Sequence, residues 1–564
     1  MLLSKNSFSI LVLLAGLAGL VWFSLRLALT GIYQVDECTE VYVAHVLALG
    51  QAKADAEYVT LFQVLLSFFI HGYTKSADLF TAARFVMVEI FWLNLLLMAL
   101  GTGVKLFSRR GLIALLGAAT LAPLWDYGFQ IRHDNLLLTG LLLIWCIVRL
   151  RPAGLQSYFI VGALAMGLEF VAFKAFAYTV PISLAVLIFP PPGRKLPRWK
   201  LAVAYAIGAV GTFVVIRAIL GKMGLWEFYV AGDQTLTAVS SHGLSSHGHR
   251  FWPWNTLSRL LPQTPLLLVL LVSALAAVIA DLRKRGKAVL SWDGNFPEAL
   301  LFLIALAVLI VNPAPYPYNL LFLVPFAFML AFRHALALTK ESLNNAALVP
   351  VFWGVLIFTH LVPFALATRR HLDWTNERQV RLMGLTENLT SPTKDAVFDG
   401  VNMVPTRLVD PDWVLHSFDK QNYIDGPGPR VRDLLATNPP AVFIPNYRTD
   451  WLPQEDHDFI RKRYVSLSDD FWVLGKILPP GGGTFEIFRP GRYRISTLKG
   501  SDLAGTYPAG MKGIIAPTVE GIVKGTLDGA TLSDRPVKLT VGTHRIECAG
   551  NCQPAVVWVG PRLD

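Results

Sequence analysis

The sequence predicts an α-helical membrane protein that crosses the bilayer many times and carries a polar C-terminal region. Its composition is 54% hydrophobic and only 16% charged, with a mean hydropathy of +0.48. A soluble domain carries about 25% charged residues. Long apolar runs alternate with short polar loops from residue 8 to residue 366, whereas charged residues, Gly and Pro return after Arg369. Basic residues also concentrate in every second loop, which is the pattern that membrane orientation requires.

A membrane span needs about 20 apolar residues, and by this measure the sequence contains about eleven candidates. The run 8–30 is too long for the apolar core of a signal peptide, so we expect an uncleaved first span. The run 62–70 predicts an interfacial helix, and 157–190 can also be interpreted as one broken pair. The candidate spans are 8–30, 80–103, 111–125, 135–150, 157–173, 175–190, 200–220, 264–281, 297–312, 318–337 and 347–367.

Charge distribution predicts the orientation of these spans. If the N-terminus is cytoplasmic, lysine and arginine gather in the cytoplasmic loops, whereas the opposite loops are nearly free of them. An odd number of spans then places the C-terminal region outside the membrane. We therefore assign the net charge of +11 to orientation. Nucleic-acid binding is not indicated, because no basic stripe is interleaved with aromatic residues. The cytoplasmic loops would hold Lys105, Arg109, Arg110, Arg149, Arg151, Arg194, Lys195, Arg198, Lys200, Arg283, Lys284, Arg285, Lys287, Arg333 and Lys340.

The composition predicts three domains. Residues 1–369 form the membrane domain, and residues 370–490 mix helix and strand patterns typical of an α/β domain. In residues 491–564 alternating apolar positions separated by Gly and Pro turns predict a small β-sandwich. Cys548 and Cys552 flank a short turn there, and we expect them to form a disulfide if the domain is extracytoplasmic. No nucleophile triad is apparent in these domains, so we expect them to bind an acceptor or serve as a scaffold.

Two adjacent carboxylates, Asp36 and Glu37, directly follow the first predicted span. Adjacent acidic groups at a membrane boundary are costly to desolvate, which makes them candidates for chemistry. The alternative is structural, with Asp36 capping a helix over residues 37–50. The two interpretations are compatible, since a cap can also hold a catalytic carboxylate in place.

Other polar groups also concentrate at predicted outer ends of spans. Arginine beside aspartate in Arg132-His133-Asp134 indicates an anion site or a helix cap, and Lys174 lies between two short apolar helices. A lysine in this position could reach a phosphate or extend to lipid headgroups. Prolines around Tyr316, Tyr318 and Asn319 predict a rigid turn that presents two phenols and an amide.

A long predicted loop, 221–263, contains three histidines, His242, His247 and His249. They are candidate metal ligands, although their spacing does not suit one helix face. A solvated polar loop is the alternative interpretation.

Taken in order, these motifs resemble the GT-C superfamily of membrane glycosyltransferases, specifically the protein O-mannosyltransferase and aminoarabinose (lipid A) transferase-like group. The resemblance covers roughly residues 10–370. Departures are Ala175, where the group has glycine after the lysine, Tyr318, which lacks a preceding arginine, and the absence of a Lys-Pro-Pro segment. The matching motifs are Asp36-Glu37, Arg132-His133-Asp134, the segment from Gly167 to Lys174 ending in Pro181, the loop from Trp226 to Pro265, and the segment from Tyr316 to Pro325.

The resemblance implies an inverting transfer of a sugar from a polyprenyl-phosphate donor to an acceptor hydroxyl. The acceptor would be a cell-envelope glycan, a lipid or a protein at the outer face of a bacterial inner membrane. It leaves the dependence on a divalent cation open. The implied residues are Asp36 and Glu37 for catalysis, with Asp36 as the base; Lys174, Arg132 and Tyr318 for the donor phosphate; and Asp134, His133, Tyr316 and Asn319 for the sugar and acceptor.

Two other classes of protein are alternatives to a transferase. A transporter or lipid-linked-sugar flippase needs polar residues in the middle of several spans, and here Glu89 and Arg217 form no chain. A non-catalytic subunit of polysaccharide assembly would not need paired outer carboxylates with cationic partners.

Overall fold

In the computed structural model, helices make up the N-terminal part of the chain and strands lie near its C-terminus. Contacts divide the chain into two compact units. The first unit comprises Met1–Ile32, Glu57–Ile70 and Thr81–Thr375, and the second comprises Tyr33–Ala56, His71–Phe80 and Asn376–Asp564. The described residues are 5–51, 59–150, 154–189, 196–230, 265–286, 295–311, 317–342, 354–355, 357–407, 415, 420–425, 430–468, 470–499, 518–550 and 552–560.

Fourteen α-helices precede residue 374 among the described ranges, and they are numbered in chain order. They are α1 (Lys5–Thr30), α2 (Val35–Ala48), α3 (Leu61–Ile70), α4 (Ser76–Gly101), α5 (Arg109–Ala119), α6 (Ala122–Tyr127), α7 (His133–Leu150), α8 (Leu155–Val171), α9 (Phe176–Ile188), α10 (Arg198–Lys222), α11 (Pro265–Arg285), α12 (Phe296–Val311), α13 (Leu320–Ser342) and α14 (Val362–Asp373).

Four helices within the described part are long and apolar enough to cross a membrane: α1 from Phe8, α4, α7 and α10. Five shorter apolar helices accompany them: Leu61–Ile70, Leu155–Val171, Phe173–Ile188, Phe296–Ile310 and Leu320–Arg333. Where the structure describes the predicted apolar runs, they are largely helical, including the run 62–70. The total of about eleven spans stays a prediction that rests on the length rule.

The predicted span 111–125 differs from the structure, which divides it into α5 and α6. Leu121 between them has an extended backbone, with φ −76° and ψ 111°. Pro123 lies in the first turn of α6, where a missing N–H is tolerated, but a proline cannot continue the helical hydrogen bonds of α5. Neither helix alone reaches the length of a span.

Helices α8 and α10 approach closely at glycines. A Cβ atom on Gly162 would lie 2.1 Å from the Tyr205 carbonyl oxygen, and one on Gly208 would lie 2.0 Å from the Phe159 carbonyl oxygen. Small residues allow backbones to meet in this way, and dispersion then stabilises the pair in a membrane. Any larger residue at either position would separate the two helices.

Arg84 in α4 is buried although it lies within an apolar run. Its guanidinium donates hydrogen bonds of 2.8 Å to the Gly31 carbonyl and 2.6 Å to the Ile32 carbonyl. These carbonyls follow the C-terminus of α1, where the helix leaves them without partners. The arginine is therefore a structural connection between α1 and α4.

The second unit combines α2 with short helices and two sheets. Its later helices are α15 (Glu377–Leu389), α16 (Lys420–Asp425), α17 (Val431–Thr437) and α18 (Gln454–Arg463). The strands among the described residues are β1 (Val397–Phe398), β2 (Val442–Phe443), β3 (Tyr464–Ser468), β4 (Phe471–Ile477), β5 (Gly482–Ile487), β6 (Gly491–Lys499), β7 (Thr518–Ile522), β8 (Gly525–Leu527), β9 (Ala530–Thr531), β10 (Val537–Leu539), β11 (Gly542–Cys548) and β12 (Pro554–Trp558). Eight of these strands form one sheet in the order β1-β2-β4-β12-β6-β10, with β3 paired to β4 and β7 to β6. The other four form a second sheet in the order β5-β11-β8-β9.

The larger sheet crosses the boundary predicted at residue 490. Strand β12 pairs with β4 on one side and with β6 on the other. Strand β11 likewise pairs with β5 across the same boundary. Residues 370–490 and 491–564 therefore share their sheets, which differs from the predicted α/β domain followed by a separate sandwich. Cys548 and Cys552 are joined by a disulfide at the end of β11.

Candidate functional site

A buried carboxylate, Asp134, is the centre of an ionic cluster in the first unit. Asp134 lies in the first turn of α7 and its side chain is fully buried. The Nε atom of Arg132 lies 2.9 Å from its Oδ2 atom, and Lys174 pairs with its Oδ1 atom. His133 approaches the same carboxylate at 4.0 Å. Burying a carboxylate is costly unless cations pair with it, and this one has two.

Tyr318 lies beneath both cations of this cluster. The Arg132 guanidinium carbon is 4.0 Å from the centroid of the phenol ring, and Lys174 Nζ is 4.6 Å from it. The negative face of an aromatic ring attracts cations at such distances. The three side chains Arg132, Lys174 and Asp134, together with the Tyr318 ring, thus form one cluster, which we call the Asp134 cluster.

The position of Lys174 follows from a break between two helices. Helix α8 ends at Val171, and Ala172 then adopts an extended backbone with φ −156° and ψ 128°. Residues Phe173–Ala175 form a 3-10 turn, after which α9 begins. The break places a lysine among apolar helices close to a buried aspartate.

The Asp134 cluster combines two cations with one carboxylate, and His133 adds a further cation only when it is protonated. The side chain of Arg132 is 8% exposed, whereas that of Lys174 is 29% exposed. The lysine is therefore the more accessible of the two cations, and the one that an anion could approach most easily.

Asn319 adds a polar group beside Tyr318. It ends the 3-10 turn Pro317–Asn319 that precedes α13, and it is buried. Its Nδ2 atom has no hydrogen-bond partner among the described residues. A buried amide without a partner costs about 1–3 kcal/mol, which a ligand oxygen could recover. Tyr316, the other phenol of the predicted turn, lies outside the described residues.

The predicted catalytic pair belongs to the second unit, in the first turn of α2. Gln34, not Asp36, occupies the N-cap position, and its backbone N–H donates a 2.8 Å hydrogen bond to the Glu37 carboxylate. Glu37 is fully buried, whereas Asp36 is exposed. The structure therefore assigns the capping role, which the sequence allowed for Asp36, to Glu37. This separates the two carboxylates into a structural group and an accessible one.

We expect Glu37→Ala to destabilise α2, because the Gln34 N–H would lose its acceptor at the helix start. Loss of a cap costs about 0.5–2 kcal/mol. The destabilisation of α2 should appear as faster exchange of its amide hydrogens in the full-length protein. Glu37→Gln keeps an oxygen that can accept the bond, and it should leave the exchange close to that of the wild type. Equal exchange in the alanine variant would contradict the capping role.

The structure does not describe the three candidate metal-binding histidines, since His242, His247 and His249 all lie outside the described residues. Within the described ranges, no group of three or more His, Cys, Asp or Glu side chains could hold a metal ion. The disulfide removes Cys548 and Cys552 as ligands, and Cys38 and Cys146 are buried.

A second buried ionic cluster in the first unit was not identified from the sequence. Glu298 is fully buried, and Arg149 Nη1 and Arg333 Nη2 lie 3.1 Å and 2.7 Å from its carboxylate. Trp145 Nε1 also donates to it at 3.1 Å. In the sequence, both arginines are interpreted as loop charges that set the orientation of the spans. A lone glutamate at the start of an apolar run is the one sequence feature that could have indicated a partner for them.

Comparisons with known proteins give little beyond these observations. No family model matches the chain, and no curated protein matches it. Among solved structures, it is similar to an oligosaccharyltransferase from Archaeoglobus fulgidus, crystallised with a tethered acceptor peptide that contains the NVT sequon. The TM-score is 0.43 at 11% identity, over 84% of this chain and 72% of that one. A likeness at this level assigns neither a fold nor an activity, so the proposals below rest on this chain's own residues.

Proposed function

We propose that this chain is a membrane glycosyltransferase that moves a sugar from a polyprenyl-phosphate donor to an acceptor hydroxyl. The observation that carries the proposal is the Asp134 cluster, in which one buried carboxylate holds two cations, Arg132 and Lys174, side by side. An anionic lipid headgroup is a ligand that such a cluster in a set of apolar helices would attract.

The donor side of the reaction needs little acid catalysis, because a phosphate is a good leaving group. Negative charge develops on the departing phosphate, and fixed cations stabilise it in the transition state. Lys174 provides a compact ammonium and Arg132 a planar guanidinium, and both are established types of phosphate ligand. Asp134 holds the two cations in place, so little reorganisation is needed when the donor binds. The Asn319 amide is a further candidate donor for a sugar or phosphate oxygen.

The acceptor side needs a base, since a hydroxyl must lose its proton as it attacks the anomeric carbon. Asp36 is our candidate, because it is exposed whereas its neighbour Glu37 is committed to the helix cap. Direct attack by the acceptor oxygen breaks the bond from the anomeric carbon to the phosphate oxygen and inverts the configuration. The proton passes to Asp36 and the electron pair leaves with the phosphate.

The proposal also includes an orientation. The alternation of basic loops supports a cytoplasmic N-terminus and an outward C-terminal region, as in a bacterial inner membrane with a periplasmic domain. A disulfide between Cys548 and Cys552 is typical of an oxidising compartment and supports the same side. The acceptor would be a glycan, a lipid or a protein of the cell envelope.

Transfer from a lipid-linked donor tests the proposal directly. Purified protein in proteoliposomes would receive a radiolabelled polyprenyl-phosphate sugar together with cell-envelope acceptors. We expect label to appear in an acceptor together with free polyprenyl phosphate, and empty liposomes give the background. Donor that crosses the bilayer but stays intact would instead identify a flippase and overturn the proposal.

A further inference from the structure

Two loops of the second unit meet at the carboxyl ends of parallel strands. Strands β1 and β2 are parallel, with Phe398 opposite Phe443. The Asn446 side-chain amide donates a 2.5 Å hydrogen bond to the Asp399 carbonyl, which joins the loop after β2 to the loop after β1. The carboxyl ends of parallel strands are where ligands bind in α/β folds, because loops converge there.

The loop after β1 is held in a fixed conformation. The buried Asp399 carboxylate accepts hydrogen bonds from the backbone N–H groups of Val401 at 2.8 Å, Asn402 at 2.7 Å and Met403 at 2.7 Å. Burial raises the pKa of Asp399, although these backbone donors oppose the rise. Asn402 has a φ of 61°, a left-handed conformation that asparagine adopts more readily than most other non-glycine residues. The backbone hydrogen bonds to Asp399 hold the loop in this conformation.

Each of these loops carries a buried polar group that lacks a partner among the described residues. In the loop after β1 it is the Oδ1 atom of Asn402, a residue that is only 2% exposed. In the loop after β2 it is Arg448, whose Nε and Nη1 atoms are both buried and lack a partner, although the same side chain hydrogen-bonds to Tyr447. Leaving such groups unsatisfied costs about 1–3 kcal/mol each and more for a charged group. A ligand that pairs with both groups would recover this free energy.

Tyr447 connects this pair of loops electrostatically to α2. The Arg448 guanidinium carbon lies 5.3 Å from the centre of the Tyr447 ring. Burial raises the pKa of Tyr447, Arg448 opposes the rise, and the negative charge of Asp36 adds to it. Asp36, Tyr447 and Arg448 all belong to the second unit, and the charge of the candidate base reaches Tyr447, the neighbour of Arg448.

We propose that these two loops bind an acidic sugar residue of the acceptor, with Arg448 pairing its carboxylate and Asn402 Oδ1 accepting a bond from one of its hydroxyls. This inference rests on the proposed transferase function, in which Asp36 activates the acceptor. We call the two residues Asn402 and Arg448 together the cradle.

A carboxylate suits the cradle better than other acceptor groups. A neutral sugar would leave the guanidinium without an anionic partner, and an apolar group would leave the buried atoms of both cradle residues unsatisfied. A phosphate carries up to two negative charges, and it would meet the single cation Arg448 beside Tyr447, on which the negative charge of Asp36 already acts. One carboxylate and one hydroxyl on a single ring match the two unsatisfied groups in number and in polarity.

Matched sugars test the inference without requiring turnover. Full-length protein in nanodiscs would be titrated with methyl galactosiduronic acid, methyl galactoside and methyl galactoside 6-phosphate, with saturation-transfer NMR as the readout. We expect the uronic acid to bind at least about tenfold more tightly than the neutral sugar, the equivalent of about 1.4 kcal/mol. Arg448→Gln should remove that preference. Asn402→Gly, in which glycine tolerates the positive φ, should weaken the binding of the uronic acid and of the neutral sugar by a similar factor.

Arg545→Gln is the matched control, because Arg545 pairs with Glu547 and its side chain is 70% exposed in the same unit. It should leave the preference unchanged. Equal binding of acid and neutral sugar by the wild type, binding of neither, tighter binding of the phosphate, or a preference that survives Arg448→Gln would each overturn the inference. Binding of the polyprenyl-phosphate donor is measured in the same samples. If the donor binds while one of these outcomes is found, the inference about the acceptor fails but the proposed function does not.

Discussion

Replacing Asp36 with asparagine should reduce sugar transfer by about 10²–10⁴-fold, the contribution that a general base makes. Asparagine has nearly the same shape but cannot take the acceptor proton. The variant should fold, because Asp36 is exposed and the cap of α2 is provided by Glu37. Loss of its charge near the helix N-terminus costs only about 0.3–1 kcal/mol. Initial rates of transfer from a radiolabelled polyprenyl-phosphate sugar, with the donor saturating, measure the effect.

Asp78→Asn is the matched control for this variant. Asp78 is an exposed aspartate in the first turn of α4 and lies in the same unit, so the substitution removes the same charge from an equivalent helix position. It should retain transfer close to the wild-type rate. Donor binding should be unchanged in both variants, because the proposed phosphate ligands lie in the Asp134 cluster. Full activity in Asp36→Asn would eliminate Asp36 as the base.

Local sequence patterns predicted some parts of this molecule well. Apolar runs identified most of the helices, and a lysine between two such runs indicated the break at which Ala172 is extended. The neighbouring residues Arg132 and Asp134 indicated an anion site or a helix cap, and in the structure the two side chains form an ion pair. These features depend on residues that are close together in the chain, so periodicity and adjacency are sufficient to find them.

Other features depend on distant residues, and the sequence could not provide them. Glu298 meets Arg149 and Arg333 from far along the chain, and charge counting had assigned both arginines to orientation. Strand β12 joins β4 and β6 across a boundary that composition alone suggested. The choice between Asp36 and Glu37 as the capping residue depended on where α2 begins, which adjacency does not reveal. Contacts of this kind, between residues far apart in the chain, can be identified only in the folded structure.

Removing the ammonium of Lys174 should weaken binding of the lipid-linked donor about 10- to 100-fold. A hydrogen bond to a charged group contributes about 1.5–3 kcal/mol, and every 1.4 kcal/mol is a factor of ten in affinity. In Lys174→Ala the Asp134 cluster loses its more exposed cation, which is the proposed ligand of the phosphate. The measurement is the ratio of the dissociation constants for polyprenol and polyprenyl phosphate, with full-length protein in nanodiscs.

This ratio isolates the phosphate, because both lipids share the same hydrocarbon tail and any misfolded fraction affects them equally. The wild type should prefer the phosphate strongly, Lys174→Ala should lose most of that preference, and Lys174→Arg should keep part of it. Arg217→Ala is the control, since it removes a cation from an exposed position on α10 that contacts Trp226. If the alanine variant at position 174 discriminates as well as the wild type does, the phosphate role must be withdrawn. The Asp134 cluster would then serve only to stabilise a buried carboxylate between α7 and α9.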